Sequence, residues 1–123
     1  MENNHQQCKS NNKENMLTAI LFWAIARGYD EAENITDADL TFKMGDFKIA
    51  FITEFDKGKT QLKYNLASIK RNKSDFIYVV TGDNGKRREL VKNIPDYCGI
   101  LCYANPFGLG FLYQVLKEPE LIL

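Results

Sequence analysis

Residues 47–81 read "FKIAFITEFDKGKTQLKYNLASIKRNKSDFIYVVT". Two apolar, β-rich runs flank a stretch with helical spacing, and this arrangement decides the fold. "DLTFKM" and "FKIAFITEF" read as two strands joined by the tight turn Gly45-Asp46, a hairpin signal. From Thr60 to Asn72 the apolar positions Leu62, Leu66 and Ile69 recur at the spacing of one helix face. "DFIYVV" is unbroken, as expected of a central strand buried on both faces. Strand, helix and strand in that order predict a right-handed parallel crossover.

Working outward, Glu14 to about Gly28 reads as a helix that is apolar nearly all round, hence deeply buried, with Gly28 as its stop. "YDEAENITDA" reads as an acidic connector. Beyond the crossover, "TGDNGKRRELVKNI" predicts a turn and a short helix. "YCGILCYA" and "LGFLYQVL" predict strands separated by the turn "NPFG". The expected order is α-β-β-α-β-α-β-β, a mixed central β-sheet flanked by helices. The class is α/β, or α+β if antiparallel pairs dominate. Residues 1–13 form a flexible polar N-terminal segment and residues 14–123 a single domain.

With 45% hydrophobic and 26% charged residues, the 123-residue chain has the profile of a soluble globular protein. Sixteen basic and sixteen acidic side chains cancel, so net charge identifies no partner. Their distribution says more. Residues 29–56 hold eight acids against Lys43 and Lys48, whereas residues 57–92 hold ten bases against Asp75, Asp83 and Glu89. Such an asymmetry suits a cation site beside a surface that attracts polyanions, or a solvated surface of paired charges. Cys8, Cys98 and Cys102 make neither a disulfide framework nor a zinc pair, which suits a reducing, cytoplasmic setting. His5, the one histidine, lies in the polar start. "MLTAILFWAIA" is too short to span a bilayer, and Glu14 and a leading segment that is not clearly basic argue against a signal peptide. No membrane association is expected.

Gly58-Lys59-Thr60 invites comparison with a phosphate-binding loop. That loop needs a first glycine where this chain has Thr53, and Glu54 and Asp56 occupy the interval where phosphate would lie. The acids themselves are the better centre. Alternation along a strand points Glu54 and Asp56 to one face and Phe55 to the other. Asp39 opens the partner strand, and the Gly45-Asp46 turn brings it near Glu54. Three carboxylates at one end of a sheet would repel one another unless a hard divalent cation, Mg²⁺ or Mn²⁺, lay between them. Lys59, Lys63 and Lys70 fall within a narrow sector of the following helix, a stripe that would track an anionic backbone. Strand ends rich in acids and helix faces rich in lysine are also ordinary surface features. Tyr64, Phe76, Tyr78 and Phe107 read as core aromatics ahead of base-stacking ones.

At these residues the sequence resembles the PD-(D/E)XK nuclease superfamily, whose members share the restriction-endonuclease-like fold. The resemblance runs from about Leu17 to Leu116. It rests on element order and on "ADL", "ITEFDKGKTQLKYN", "DFIYVVT" and "IPDYCGILCYA". It is more particular to a subgroup reading Glu-x-Glu, Gly-Lys-Ser/Thr, an asparagine and a later lysine. Those positions here are Glu54-Phe55-Asp56, Gly58-Lys59-Thr60, Asn65 and Lys70. The resemblance implies that Asp39 and Glu54 bind metal, with the Phe55 carbonyl as a further ligand. The superfamily's lysine stands two residues after the second acid, where this chain has Asp56, so its role must pass to Lys59 or Lys57 or be absent. Asp56 would then hold a second cation or a water, and Glu31 or Glu33 an extra acid position. Lys63, Asn65, Lys70, Arg71, Arg87 and Arg88, with Lys86, would contact nucleic acid, DNA in the first instance. The implied activity is metal-dependent phosphodiester hydrolysis, catalysed through Asp39, Glu54, Asp56 and Lys59. The alternative is a catalytically inactive relative that binds nucleic acid or protein, as a homodimer or within a larger complex.

Overall fold

In the computed structural model the described residues are 3–55, 57–82, 84–104 and 112–122; at 3–12, 84, 104 and 112 only the backbone is described. The chain runs α1 (Asn3–Ala26), β1 (Asp30–Glu31), β2 (Leu40–Met44), β3 (Phe47–Thr53), α2 (Lys59–Arg71), β4 (Phe76–Thr81), a 3₁₀ turn (Asn84–Lys86), α3 (Arg87–Asn93), β5 (Gly99–Ala104) and β6 (Leu112–Lys117). One six-stranded sheet carries the strands in sequence order. The β1–β2, β2–β3 and β5–β6 pairs are antiparallel, and the β3–β4 and β4–β5 pairs are parallel. A mixed sheet with three helices is the expected α/β class.

The hairpin forms where the sequence places it. Met44 pairs with Phe47 across Gly45 and Asp46, and Gly45 takes φ +61°, the left-handed conformation such a turn needs. Alternation then sorts the strand residues onto two faces. Ile49, Phe51, Tyr78, Val80 and Leu101 pack beneath Met16, Ile20 and Ala24 of α1. Ala50, Ile52, Ile77, Val79 and Ile100 pack beneath Leu62, Leu66 and Ile69 of α2 and Leu90 of α3. The crossover helix therefore buries the face its spacing predicts.

Three expectations change. The polar start is helical: α1 begins at Asn3, well before Glu14. Helix α1 also covers only one side of the sheet, so Phe22 and Ile25 are exposed and burial is confined to one stripe. Part of the acidic connector is a strand, with Asp30 opposite Lys43 and Glu31 opposite Phe42. Two exposed acids on a sheet edge carry no apolar alternation, which is why the sequence reads as a loop there. The "NPFG" turn lies outside the described residues. Among those that are described, no helix is long and apolar enough to cross a membrane.

Candidate functional site

Strand β3 ends at Thr53, and the chain then enters a turn closed by the Lys57 N–H donating to the Glu54 carbonyl at 3.1 Å. Glu54 and Phe55 nevertheless keep the alternation of β3: Glu54 stands on the α2 side with Ala50 and Ile52, and Phe55 packs on the α1 side with Ile49 and Phe51. The Glu54 N–H still donates to the Val80 carbonyl at 3.0 Å, which carries the parallel ladder one residue further. Asp56 lies outside the described residues.

Asp39 sits where the sequence predicts, just before β2 and against the end of β3. Its N–H donates to the Phe51 carbonyl at 2.9 Å. Its Oδ2 accepts from the Thr53 N–H at 2.7 Å, the Thr53 hydroxyl at 3.1 Å and the Lys57 ammonium at 3.5 Å. Lys13 of α1 approaches Oδ1 at 3.8 Å. The carboxylate thus clamps the strand end while two lysines balance its charge.

Glu54 has different partners. Its Oε1 accepts from the Thr81 hydroxyl at 2.9 Å and its Oε2 from the Lys86 ammonium at 3.3 Å. The side chain is only 11% exposed. It lines a cleft of about 160 Å³ with Lys57, Lys59, Leu62, Lys86 and Glu89, on the face covered by α2 and α3. Asp39 is approached instead by Lys13 from α1, on the other face. Lys57 joins the two: its ammonium reaches Asp39 and the Thr53 carbonyl (2.9 Å), and its side chain, 11% exposed, borders the Glu54 cleft.

Of the two lysines left open by the sequence, Lys57 is the one beside an acid of the motif. Lys59 is 67% exposed and pairs with Glu89 at 3.0 Å, tying α2 to α3. Glu31 lies in the β1 ladder and Glu33 is exposed on the connector; neither lines the cleft.

Of the three carboxylates expected to bind metal, Asp39 and Glu54 are described and Asp56 is not. A hard divalent cation takes about six oxygen ligands, commonly including one or two carboxylates. Among the described residues no three acidic, histidine or cysteine side chains converge. Both carboxylates already accept from ammonium and hydroxyl donors. Phe55 packs its ring with the α1-side core rather than toward the cleft.

A second feature is a groove of about 540 Å³ between α2 and α3. Lys63, Lys70 and Arg71 border it from α2 and Lys92 from α3, and no acid among the described residues lines it. Three of these cations belong to the predicted set. Lys63, Ala67 and Lys70 share one helix face at spacings of four and three residues. Asn93 borders both groove and cleft, so the two are contiguous. Asn65, also predicted to contact nucleic acid, is instead buried and accepts from Gln61 at 2.7 Å, because it lies on the inner face of α2. Arg87 and Arg88 are exposed at the start of α3 but do not line the groove. Tyr64, read as core, is 60% exposed. Tyr78 is buried and Phe76 partly so, as expected, whereas Phe107 lies outside the described residues.

Lys92 and Tyr97 are the groove residues that sequence reasoning missed. Tyr97 follows α3 in "IPDYCG", and only the return of the chain beneath α2 brings it to Lys70, whose ammonium stands 5.2 Å from the ring centre. Comparison with protein-family models, with curated proteins and with solved structures finds no match to this chain.

Proposed function

We propose that the chain is a nuclease-like domain that binds the phosphodiester backbone of nucleic acid along the groove between α2 and α3. The observation that carries this reading is the groove itself: among the described residues four cations line it without a carboxylate, in a chain with no net charge. Burying no acid among these bases leaves their field uncompensated within the groove, which favours a polyanion over a neutral ligand. An antiparallel meander, a helix and a parallel strand, in that order, support the resemblance to the restriction-endonuclease-like fold. Phosphate contacts from lysine and arginine position a strand without reading its sequence, so the expected binding is salt-sensitive and tolerant of sequence.

The test is binding of a labelled oligonucleotide at low and moderate salt to the wild-type chain and to a Lys63→Gln/Arg71→Gln double variant. Removing two phosphate contacts should weaken binding and flatten the dependence of log Kd on log salt by roughly one to two units. Unchanged affinity and slope would defeat the proposal.

Hydrolysis is a second reading, favoured by the meeting of Lys57 with Asp39 beside the Glu54 cleft. An acid pair with a sheltered lysine is one arrangement that supports phosphodiester cleavage when the acids hold a divalent cation. Cleavage supported by Mg²⁺ or Mn²⁺ and abolished in Glu54→Ala would establish it. A cation bound there would have to displace Lys86 and Lys57 from their carboxylates. The expected result is therefore that nucleic-acid binding survives Glu54→Ala.

A further inference from the structure

The groove has a floor as well as a rim. Ala67, Ile94, Pro95 and Tyr97 lie among the cations. A track that served phosphates alone would need no apolar floor. Tyr97 is held in place: its ring packs against the α2-side core, its carbonyl accepts from the Glu120 N–H at 2.9 Å, and the next residue's N–H donates to the Pro95 carbonyl at 3.1 Å. The exposed Lys70 ammonium stands over the ring, 5.2 Å from its centre, so a base stacking there would take its place as Lys70 turned to a phosphate. A fixed aromatic surface beside a row of cations has the two parts needed to hold a nucleotide, a face for the base and charges for its phosphates.

Bases in a duplex are stacked on one another and offer their flat faces to nothing else, so such a floor is useful only to an unstacked base. We infer that the groove accepts single-stranded nucleic acid, with a base resting on the floor formed by Tyr97, Ile94 and Pro95 while Lys63, Lys70, Arg71 and Lys92 hold flanking phosphates. This rests on the backbone-binding reading above and adds the strand state of the ligand. Base stacking on an aromatic side chain is sequence-tolerant, because every base has a π-face. Discrimination is therefore between strand states, not between sequences.

The experiment measures fluorescence anisotropy of the full chain with three probes of equal length at one low salt concentration. They are a thymidine single strand, the corresponding duplex and an abasic single strand that keeps the phosphates without the bases. The single strand should bind about five- to 100-fold tighter than either of the others, since one stacked base is worth roughly 1–3 kcal/mol. Tyr97→Leu keeps an apolar side chain but loses the aromatic face. It should cost the thymidine strand about five- to 100-fold while leaving the duplex and abasic strands unchanged. Tyr97→Phe, which keeps the ring, should bind as the wild type does, and thermal melting of each variant reports whether it is folded. Equal affinity for all three probes, or an equal loss for all three in folded Tyr97→Leu, would overturn the single-strand inference while leaving backbone binding in place. Failure of every probe to bind at low salt would overturn both.

Discussion

Asp39 accepts three hydrogen bonds through a single carboxylate oxygen and is only 17% exposed, so its role in holding the strand end is separable from any role in chemistry. Asp39→Asn keeps an oxygen for the Thr53 N–H but loses the charge that faces Lys57 and Lys13. The expected loss of unfolding free energy is about 1 kcal/mol. Asp39→Ala also strands the Thr53 N–H and should cost roughly 2–3 kcal/mol, measured by urea unfolding of both variants. Similar midpoints for the two would show that charge, not hydrogen bonding, holds the strand end. Cys98 offers a second residue-level check. Burial, set only partly against the attraction of Lys117, pushes its thiol from the ordinary 9.0 to about 12. The thiolate is the reactive form. Cys98 should therefore resist thiol reagents in the folded protein at neutral pH and react once denaturant exposes it. Asp39, Glu54 and the α2 cations Lys63, Lys70 and Arg71 were legible in the sequence because spacing and charge reveal them. Neither the different partners of the two acids nor the burial of Asn65 was legible, since both depend on what packs alongside.

At the scale of elements, α2 ends in a conformation that its sequence does not favour. Lys73 has φ +69°, and the Ser74 N–H reaches back to the Ile69 carbonyl at 3.4 Å. Glycine usually takes this left-handed position after a helix, because a Cβ there crowds the backbone. Lys73→Gly should raise the unfolding free energy by about 0.5–1 kcal/mol, read as an upward shift in thermal midpoint. The start of β5 shows the opposite constraint. A Cβ added at Gly99 would lie 2.8 Å from both the Pro119 nitrogen and its Cδ. Backbone cannot yield as a flexible side chain can. Gly99→Ala should therefore destabilise the protein by about 1–3 kcal/mol and displace the segment whose Glu120 N–H bonds to Tyr97. Hydrogen exchange at residue 120 would report that displacement. The run "YCGILCYA" marks a strand, but nothing in it reveals that the chain returns to lie against its glycine.

For the whole molecule, the buried titratable groups predict how stability varies with pH. Tyr78, Tyr97 and Tyr113 are all shifted above the ordinary 10.0, and Cys98 above 9.0, chiefly because burial disfavours the charged form. The unfolded chain releases these protons first as pH rises. Their stabilising contribution is present in full below about pH 9 and declines above it, with the Cys98 part lost on passing through about 12. Urea midpoints should thus fall progressively on the alkaline side, and the part of the tyrosinate absorbance contributed by Tyr78, Tyr97 and Tyr113 should rise together with unfolding, not ahead of it. A stable midpoint through this range would contradict the burial of these groups. The same contrast between local pattern and packing divides what could be known from each source. By itself the sequence determined the order of strands and helices from β2 onward, the Gly45-Asp46 hairpin, the inward face of α2 and the basic stripe on its outer side. Each comes from the 2.0- and 3.6-residue periods and from turn chemistry, which act over a few residues. Only the tertiary structure decided that α1 covers one face and leaves Phe22 and Ile25 exposed, that Lys57 rather than Lys59 stands beside Asp39, and that Tyr97 and Lys92 complete the groove. These outcomes depend on elements far apart in the chain meeting across a sheet, and no local spacing encodes which side chains such a meeting brings within reach.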